Sequence, residues 1–360
     1  MSILSPIFAV LVTLILGVGL FAILGKDPID GLRVFFVEPV KNAYGLSELA
    51  VKATPLVLIA LGLAVCFRSN VWNIGAEGQF ILGAIFGGGV AIHATDASSR
   101  FVVVLVLLAG VLGGMAWAAV VAVLRDRFHT SEILVSLMLV YVADMLLGYL
   151  VYGPWKDPEG YNFPQSITFA APTHVPRLVA GYRTDVGALV ALALVGVFWV
   201  FVFRTYAGFQ LQVGGLAPAA ARYAGFSSRR ALWTALLISG AMAGLAGALE
   251  VAGPLGQLTP YVPAGYGFAA IIVAFVGRLH PVGIVLSAVL MSMFYIGGEL
   301  AQSRLGLPKS VTGVFQGLLL FALLGCDTLV DYRVRSTRAV ARAAAPVVSA
   351  GEAKSEGSRG

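Results

Sequence analysis

A polar, glycine-rich segment, Asn73-Ile-Gly-Ala-Glu-Gly-Gln79, lies between two apolar stretches that are each long enough to enter a bilayer. Its carboxylate and two amides can hydrogen-bond to a polar solute, and Gly75 and Gly78 loosen the backbone. Inside hydrocarbon, such groups are tolerated only where they face protein or a water-filled cavity. The segment is therefore typical of a membrane protein through which something passes. The alternative is a loop at the membrane surface, with Trp72 as an interfacial anchor.

Three acidic residues fall within apolar stretches, and each needs a partner, a proton or water there. Glu77, flanked by Asn73 and Gln79, is the first candidate for lining a pathway for a polar, uncharged solute. Equally, it can accept backbone N–H bonds and cap a re-entrant turn. Asp144 follows Tyr141 by one turn and is expected to make a helix–helix hydrogen bond. Glu250, near the end of its stretch, is expected to be hydrated.

The composition identifies a polytopic, all-α membrane helix bundle. Hydrophobic residues make up 59% of the chain, charged residues 12%, and the mean hydropathy is +0.89, whereas soluble domains have roughly 25% charged residues. Runs of about 20 apolar residues bounded by charge or proline predict ten transmembrane helices. They are Ile7–Leu24, Leu46–Phe67, Trp72–Ile92, Phe101–Leu124, Ser131–Tyr152, Val186–Phe203, Ala231–Val251, Gly265–Gly277, Pro281–Gly298 and Ser310–Leu329.

The distribution of Lys and Arg predicts that both termini are cytoplasmic. With the N-terminus inside, 14 of the 24 basic residues fall on the inner side, and the others are diluted by acids. The net charge of +6 reflects this asymmetry, since no basic stripe interleaves with aromatics as a nucleic-acid surface would require. Nucleic acid is therefore excluded as a partner, and the chain is expected to contact membrane lipid.

Residues 1–330 are predicted to form one transmembrane domain, with most polar residues in two loops and a tail. Residues 153–183, rich in proline, predict an ordered, turn-rich external loop with little helix. Residues 204–230 form the longest predicted cytoplasmic loop. Residues 331–360 predict a basic, disordered cytoplasmic tail, whose arginines can contact anionic lipid.

Two glycine patterns bear on packing. Pairs of glycines four residues apart, Gly83/Gly87, Gly110/Gly114, Gly240/Gly244 and Gly313/Gly317, predict close approach between helices. The third and eighth predicted spans both open on glycine-rich sequence, which in matching halves of a transporter indicates a pathway at the membrane midplane. Chance similarity between glycine-rich helices explains the second pattern about as well.

The cytoplasmic loop contains a predicted two-turn helix. Pro218 lies at its first turn, Ala221, Arg222 and Tyr223 lie within it, and Gly225 ends it. A helix this short is unstable alone, so it needs a surface to dock against. Two interpretations remain open on these residues: a groove on a soluble cytoplasmic partner, or an amphipathic helix lying on the membrane.

Four motifs in this order resemble the permease subunits of bacterial ABC importers for branched-chain amino acids, ribose and nucleosides. They are NIGAEGQFILGA, the RTYAGF…APAAARYAGF loop, SGAMAGLAGALE and YGFAAIIVAFVGRLHPVGIVLSA. The resemblance covers about residues 46–330. Within the family, the chain looks most like the larger permease of the nucleoside (simple-sugar) type, through SEILVSLMLVY and YGPWKDPEGYNFPQS.

The resemblance implies a multi-pass permease of the bacterial inner membrane that transports a small polar solute, and the nucleoside-type motifs make a nucleoside the expected solute. A second homologous permease, a cytoplasmic ATPase and an extracytoplasmic solute-binding lipoprotein are the implied partners. The ATPase-coupling helix maps onto Pro218–Gly225, although Ala217 and Ala219 replace the Asn and Glu that are common there. A nucleobase invites stacking on aromatics, for which Phe80, Tyr266 and Phe268 are candidates, although packing is the commoner role.

Other functions fit the sequence less well. Ribose, simple sugars and branched-chain amino acids are alternative solutes. A secondary transporter would typically carry a Lys or Arg within a span and ionisable residues paired near the midplane, and neither is evident. No Walker A motif occurs, so ATP is expected on a separate chain, and this chain is expected to bind no cofactor or metal. The four histidines are scattered and G-x-S-x-G is absent, so no catalytic residue is expected.

Overall fold

Fourteen α-helices build residues 4–331, which are the part of the chain that the computed structural model describes. They are α1 (Leu4–Ile23), α2 (Pro28–Leu32), α3 (Glu38–Lys41), α4 (Ala43–Arg68), α5 (Ala76–Ile92), α6 (Val102–Phe128), α7 (Glu132–Tyr152), α8 (Val186–Arg204), α9 (Tyr206–Leu216), α10 (Pro218–Tyr223), α11 (Ser228–Glu250), α12 (Tyr266–Val276), α13 (Pro281–Leu305) and α14 (Ser310–Asp331). Short π-helical turns span Arg33–Val37 and Val251–Leu255, and a 3-10 turn spans Ala171–Thr173.

Seven helices are long and apolar enough to cross a membrane: α1, α4, α6, α7, α8, α11 and α13. The apolar parts of α5, α12 and α14 are shorter. Each of the ten predicted spans corresponds to one of these helices, and the chain is a multi-pass membrane protein. Because α5 and α12 fall short of the roughly 20 residues that span a bilayer, the count of ten crossings stays a prediction. The cytoplasmic location of the termini also stays a prediction.

Two groups of four helices follow the same order. In the first, α4 is followed by an extended segment, the short α5, then α6 and α7; in the second, α11 is followed by an extended segment, the short α12, then α13 and α14. The two long leading helices pack against each other, α4 also contacts α12 and α13, and α11 also contacts α5 and α6. Helices of the two groups therefore contact each other in the core. The short helices α5 and α12, which we call the broken helices because an extended segment precedes each of them, both begin in this core.

Glycines allow the backbones of α5, α6 and α11 to approach closely. A Cβ atom added at Gly114 would lie 2.7 Å from the Cα of Gly244, and one added at Gly240 would lie 3.0 Å from the carbonyl carbon of Gly114. Real Cβ atoms do not come this close, so these positions exclude larger residues. Gly313 and Gly317 on α14 differ, because a Cβ at either would meet nothing within 4 Å among the described residues 4–331, and the close approach predicted there stays a prediction.

Residues 153–183 are ordered by the segment that leads into α12. The backbone N–H groups of Ser166 and Val175 donate to the carbonyls of Leu258 and Ala252, each at 2.9 Å. The segment contains turns, two isolated bridges and the 3-10 turn. These bonds satisfy backbone groups that would otherwise lack partners and fix the approach to α12.

Two segments are more helical than predicted. Residues 26–41, for which no helix was predicted, form α2, α3 and the π-helical turn between them. The loop 204–230 contains α9 in addition to the predicted helix, because Thr205 caps α9 by accepting a bond from the Gly208 N–H at 3.1 Å. The predicted disordered tail, 331–360, lies outside the described residues except for its first.

Candidate functional site

The amides of Asn73 and Gln79 pair with each other where α5 begins. Asn73 Nδ2 donates to Gln79 Oε1 at 3.0 Å, and Gln79 Nε2 donates back to Asn73 Oδ1 at 3.2 Å. Asn73 Nδ2 also donates to Ser239 Oγ on α11 at 2.9 Å, and its Oδ1 accepts from the Gly75 N–H at 3.1 Å. Both amides are buried, so they face protein rather than solvent. In this conformation they bind protein, which fixes the start of α5 against α11.

Glu77 lies where the N-terminus of α5 meets the N-terminus of α12. Its Oε1 accepts from the Gly265 N–H at 2.8 Å, and its Oε2 accepts from the Gly267 N–H. A Cβ at Gly267 would overlap the backbone of Glu77, so only glycine lets the two helix ends approach this closely. A carboxylate is favourable there, because two helix N-termini bring partial positive charge and free N–H groups. Glu77, 2% exposed, therefore makes the capping contacts of the second interpretation.

The predicted aromatic residues differ in their surroundings. Phe80 and Tyr266 are buried and meet edge to face at 5.8 Å between ring centroids. Tyr266 also contacts the Tyr295 ring at 5.4 Å. Phe268 is 41% exposed on α12. Among the six predicted pathway residues, Phe268 is the one with an exposed side chain. The other five are buried and lie in the contacts between α5, α11 and α12: Asn73, Glu77, Gln79, Phe80 and Tyr266.

Lys52, on α4, was missed by the sequence analysis. Its ammonium lies 3.3 Å from the Glu299 carboxylate and 5.9 Å from the centre of the Tyr266 ring. It falls within a predicted span, so the expectation that no span carries a Lys or Arg is wrong. The position of Lys52 among apolar residues was the signal that could have found it.

The other two acids within spans also differ from expectation. Asp144 is exposed on α7 and makes no hydrogen bond within residues 4–331, so the expected helix–helix bond is absent there. Glu250 is buried rather than hydrated.

The predicted coupling helix is α10, and it presents apolar side chains outward. Ala221 is buried against the chain, whereas Pro218, Arg222 and Gly225 are exposed and Tyr223 is 97% exposed. Gly225 adopts a φ of +79°, a left-handed conformation that favours glycine and ends the helix.

A cavity of about 940 Å³ separates α10 from the ends of α6 and α11. Arginines and acids line it, and four of them form two ion pairs in its wall: Arg125 to Glu132 at 3.1 Å and Arg229 to Asp126 at 2.8 Å. Exposed pairs of this kind contribute little to stability. The bundle therefore supports α10 mainly through α9.

A row of contacts joins α9 to the end of α12. Gly215 of α9 packs so closely on the backbone of Arg68, at the end of α4, that a Cβ would overlap the Arg68 carbonyl. The Arg68 guanidinium donates two hydrogen bonds, at 3.0 and 2.9 Å, to the carbonyl oxygen of Leu279 just beyond α12. The guanidinium carbon of Arg68 (Cζ) lies 5.0 Å from the centre of the Phe203 ring. Sequence periodicity could not predict the hydrogen bonds between Arg68 and Leu279, because these residues lie 211 positions apart in the chain.

Residues 45–324 match the family described as branched-chain amino acid transport system / permease component. A glucose ABC transporter permease protein of Haloferax volcanii is 34% identical over 340 residues, covering 92% of this chain and 89% of the relative. A guanosine ABC transporter permease protein of Bacillus subtilis is 28% identical, covering 88% and 91%. A nucleoside ABC transporter permease protein of Lactococcus lactis is 25% identical, covering 89% and 90%. No solved structure matches the chain.

Proposed function

Because the chain belongs to the family of permease components of branched-chain amino acid transport systems, we propose that it forms half of the solute pathway in an ATP-driven nucleoside importer. The observation that carries this proposal is the family match over residues 45–324, which includes both interlocked helix groups and α10. The buried polar junction of α5 and α12 supports it, since broken helices that meet inside a bundle are typical of transport pathways.

The solute proposed is a nucleoside. Two of the relatives above are named for guanosine or nucleosides, and the chain resembles the nucleoside-type branch in its own motifs. A simple sugar is the second candidate, because the 34% identical relative is named for glucose. Both solutes are polar and carry sugar hydroxyls.

Movement of α10 is proposed to open and close the junction. ATP hydrolysis on a separate cytoplasmic ATPase moves α10, whose Tyr223 and Arg222 contact that subunit. The motion passes through α9 to Arg68 and then to Leu279, and so tilts α12. As α12 tilts, its N-terminus withdraws from Glu77 and exposes the predicted pathway residues to solute. Such rigid-body switching needs no chemistry on this chain.

The proposed complex contains further subunits. A second permease completes the pathway, since two guanosine ABC transporter permease proteins of Bacillus subtilis are both similar to this chain. An extracytoplasmic lipoprotein delivers the solute, and the complex lies in the inner membrane with both termini of this chain in the cytoplasm. The subunit needs no cofactor, because ATP is bound by its partner.

Uptake by cells with and without this gene tests the proposed solute. Labelled guanosine should accumulate only in cells that carry the gene, and labelled leucine should accumulate equally in both. Gene-dependent uptake of glucose without guanosine would select the sugar, and equal uptake of all three would contradict the transport proposal.

A double variant tests the contact with the ATPase. Arg222→Glu with Gly225→Glu should abolish uptake and leave the protein in the membrane, because the changes place bulky acids on α10. Arg127→Glu is the matched control, since Arg127 is exposed at the same end of the bundle but lies on α6. Unchanged uptake in the double variant would remove the assignment of α10.

A further inference from the structure

Helix α7 packs against α5 and α6 and leaves a broad face uncovered. Most of that face is apolar, with Leu134, Met138 and Met145 exposed, as expected of a helix that faces lipid or another membrane subunit. Asp144 interrupts this pattern because it is exposed and charged.

Asp144 lies far from both ends of α7. It is the thirteenth of 21 residues, so at about 1.5 Å per residue it lies roughly 18 Å from the start of the helix and 12 Å from its end. A carboxylate at this depth is costly in hydrocarbon and is found where it faces a partner or a water-filled cavity. Within residues 4–331 no hydrogen-bond donor meets it, so this part of the chain leaves its carboxylate open to a ligand or to another subunit.

The residues beside Asp144 form one polar strip along α7. Tyr141, three residues earlier, is 60% exposed, and Gly148, four residues later, has open space where a Cβ would lie. Residues at these spacings are neighbours on a helix surface. The strip therefore presents an aromatic ring, a carboxylate and a recess side by side, whereas Val142, two residues before Asp144 and thus on a different face of the helix, is apolar.

The strip lies beside the junction of the broken helices. A Cβ at Gly78 of α5 would lie 3.1 Å from the Cα of Val140, one turn before Asp144. Asp144 is thus placed at the depth where the proposed motion of α12 takes place.

We propose that Asp144 lines the solute pathway and accepts hydrogen bonds from two adjacent N–H or O–H donors of a neutral solute, while Tyr141 stacks on its ring. This inference rests on the proposed function and names the group that recognises the solute. A carboxylate only accepts hydrogen bonds and can receive two at once. The guanine edge offers N1–H and N2–H₂ together, and a sugar offers a vicinal diol. Adenine offers one donor beside one acceptor on the same edge and so fits the carboxylate less well.

Transport kinetics of the Asp144→Asn variant in the complete transporter test the proposal. An amide replaces one acceptor by a donor, so the KM for guanosine should rise about tenfold or more. If the guanine edge supplies the two donors, the KM for adenosine should change less than threefold; if the ribose diol supplies them, it should rise as much as that for guanosine. Val142→Asn, on the opposite flank of α7, is the matched control and should leave both values unchanged.

Two analogues distinguish the sources of the donor pair. If the guanine edge is recognised, inosine, which lacks the 2-amino group, should bind the wild type more weakly than guanosine, and the variant should lose that preference. If the diol is recognised, 2′,3′-dideoxyguanosine should show the same pattern, and for a sugar transporter glucose and 2-deoxyglucose form the equivalent pair. Equal KM changes for guanosine and adenosine without discrimination against 2′,3′-dideoxyguanosine, or no change for either, would overturn the proposal.

Thiol labelling decides the case in which Asp144→Asn does not assemble. Asp144→Cys should react with a polar thiol reagent and be protected by guanosine, whereas Val142→Cys should not react, with the native cysteines as the blank. An unreactive Asp144→Cys would place residue 144 against lipid or another subunit and would overturn the proposal. Absence of any guanosine or glucose uptake by the wild type would instead contradict the proposed function.

Discussion

Replacement of Glu77 by Gln should loosen the junction of α5 and α12 without changing the shape of the side chain. In the native protein the two carboxylate oxygens accept from the N–H groups of Gly265 and Gly267. In Glu77→Gln one of these oxygens becomes an NH₂ group, so a donor faces a donor and one buried backbone N–H loses its partner. A hydrogen bond to a charged group contributes about 1.5–3 kcal/mol, so the local loss is about 2 kcal/mol.

Hydrogen–deuterium exchange of the purified transporter measures this loss directly. Because 1.4 kcal/mol corresponds to a factor of ten, about 2 kcal/mol should speed exchange in the peptide around Gly265 and Gly267 roughly 30-fold. Glu77→Ala removes both bonds and should have a larger effect. Asp30→Asn, an exposed acid on α2, should leave the same peptide unchanged. Native exchange rates in Glu77→Gln would refute the capping role.

Further predictions concern other parts of the bundle. Arg68→Ala removes both bonds to the Leu279 carbonyl, so uptake should fall at least tenfold while ATP hydrolysis by the complex persists; a proportional loss of both would contradict the linkage through α9. Burial raises the pKa of Asp185 from 3.8 to about 6, against the lowering effect of backbone hydrogen bonds. The folded chain therefore binds this proton more tightly than the unfolded chain, so stability from this group should fall as pH rises from about 4 to 6. In Asp185→Asn, the melting temperature should therefore fall less steeply as the pH rises from about 4 to 6. A pH dependence identical to that of the native protein would contradict this role of Asp185. Gly114→Leu should lower the melting temperature because α11 occupies the space, whereas Gly313→Leu should not; equal melting temperatures would contradict the packing.

The helix class and most helix positions follow from hydropathy, because a bilayer requires long apolar segments. Helix α7 matches its prediction within one residue, and α8 also ends within one residue of its predicted end. The third span begins four residues later than Trp72, because the Asn73 side chain binds the backbone and holds the chain out of the helix. Helix α9 was missed because it carries no long apolar run and is held by contacts with α4 and α8.

The candidate site was predictable in residue type but not in arrangement. The Asn73–Gln79 segment was recognisable as polar sequence in an apolar region, and both roles of Glu77 could be stated from the sequence. The choice between them depended on Gly265, which lies 188 positions away. Lys52 and Arg68 likewise gain their partners, Glu299 and Leu279, only when distant helices pack together.

Reconstitution into liposomes tests the central claim most directly. The account predicts that this chain with its second permease, ATPase and binding lipoprotein accumulates guanosine only when ATP is supplied on the cytoplasmic side. The chain alone should accumulate none under a proton or sodium gradient. Accumulation by the chain alone, driven by such a gradient, would contradict the account and would give the Lys52–Glu299 pair the role of ion coupling in a secondary transporter.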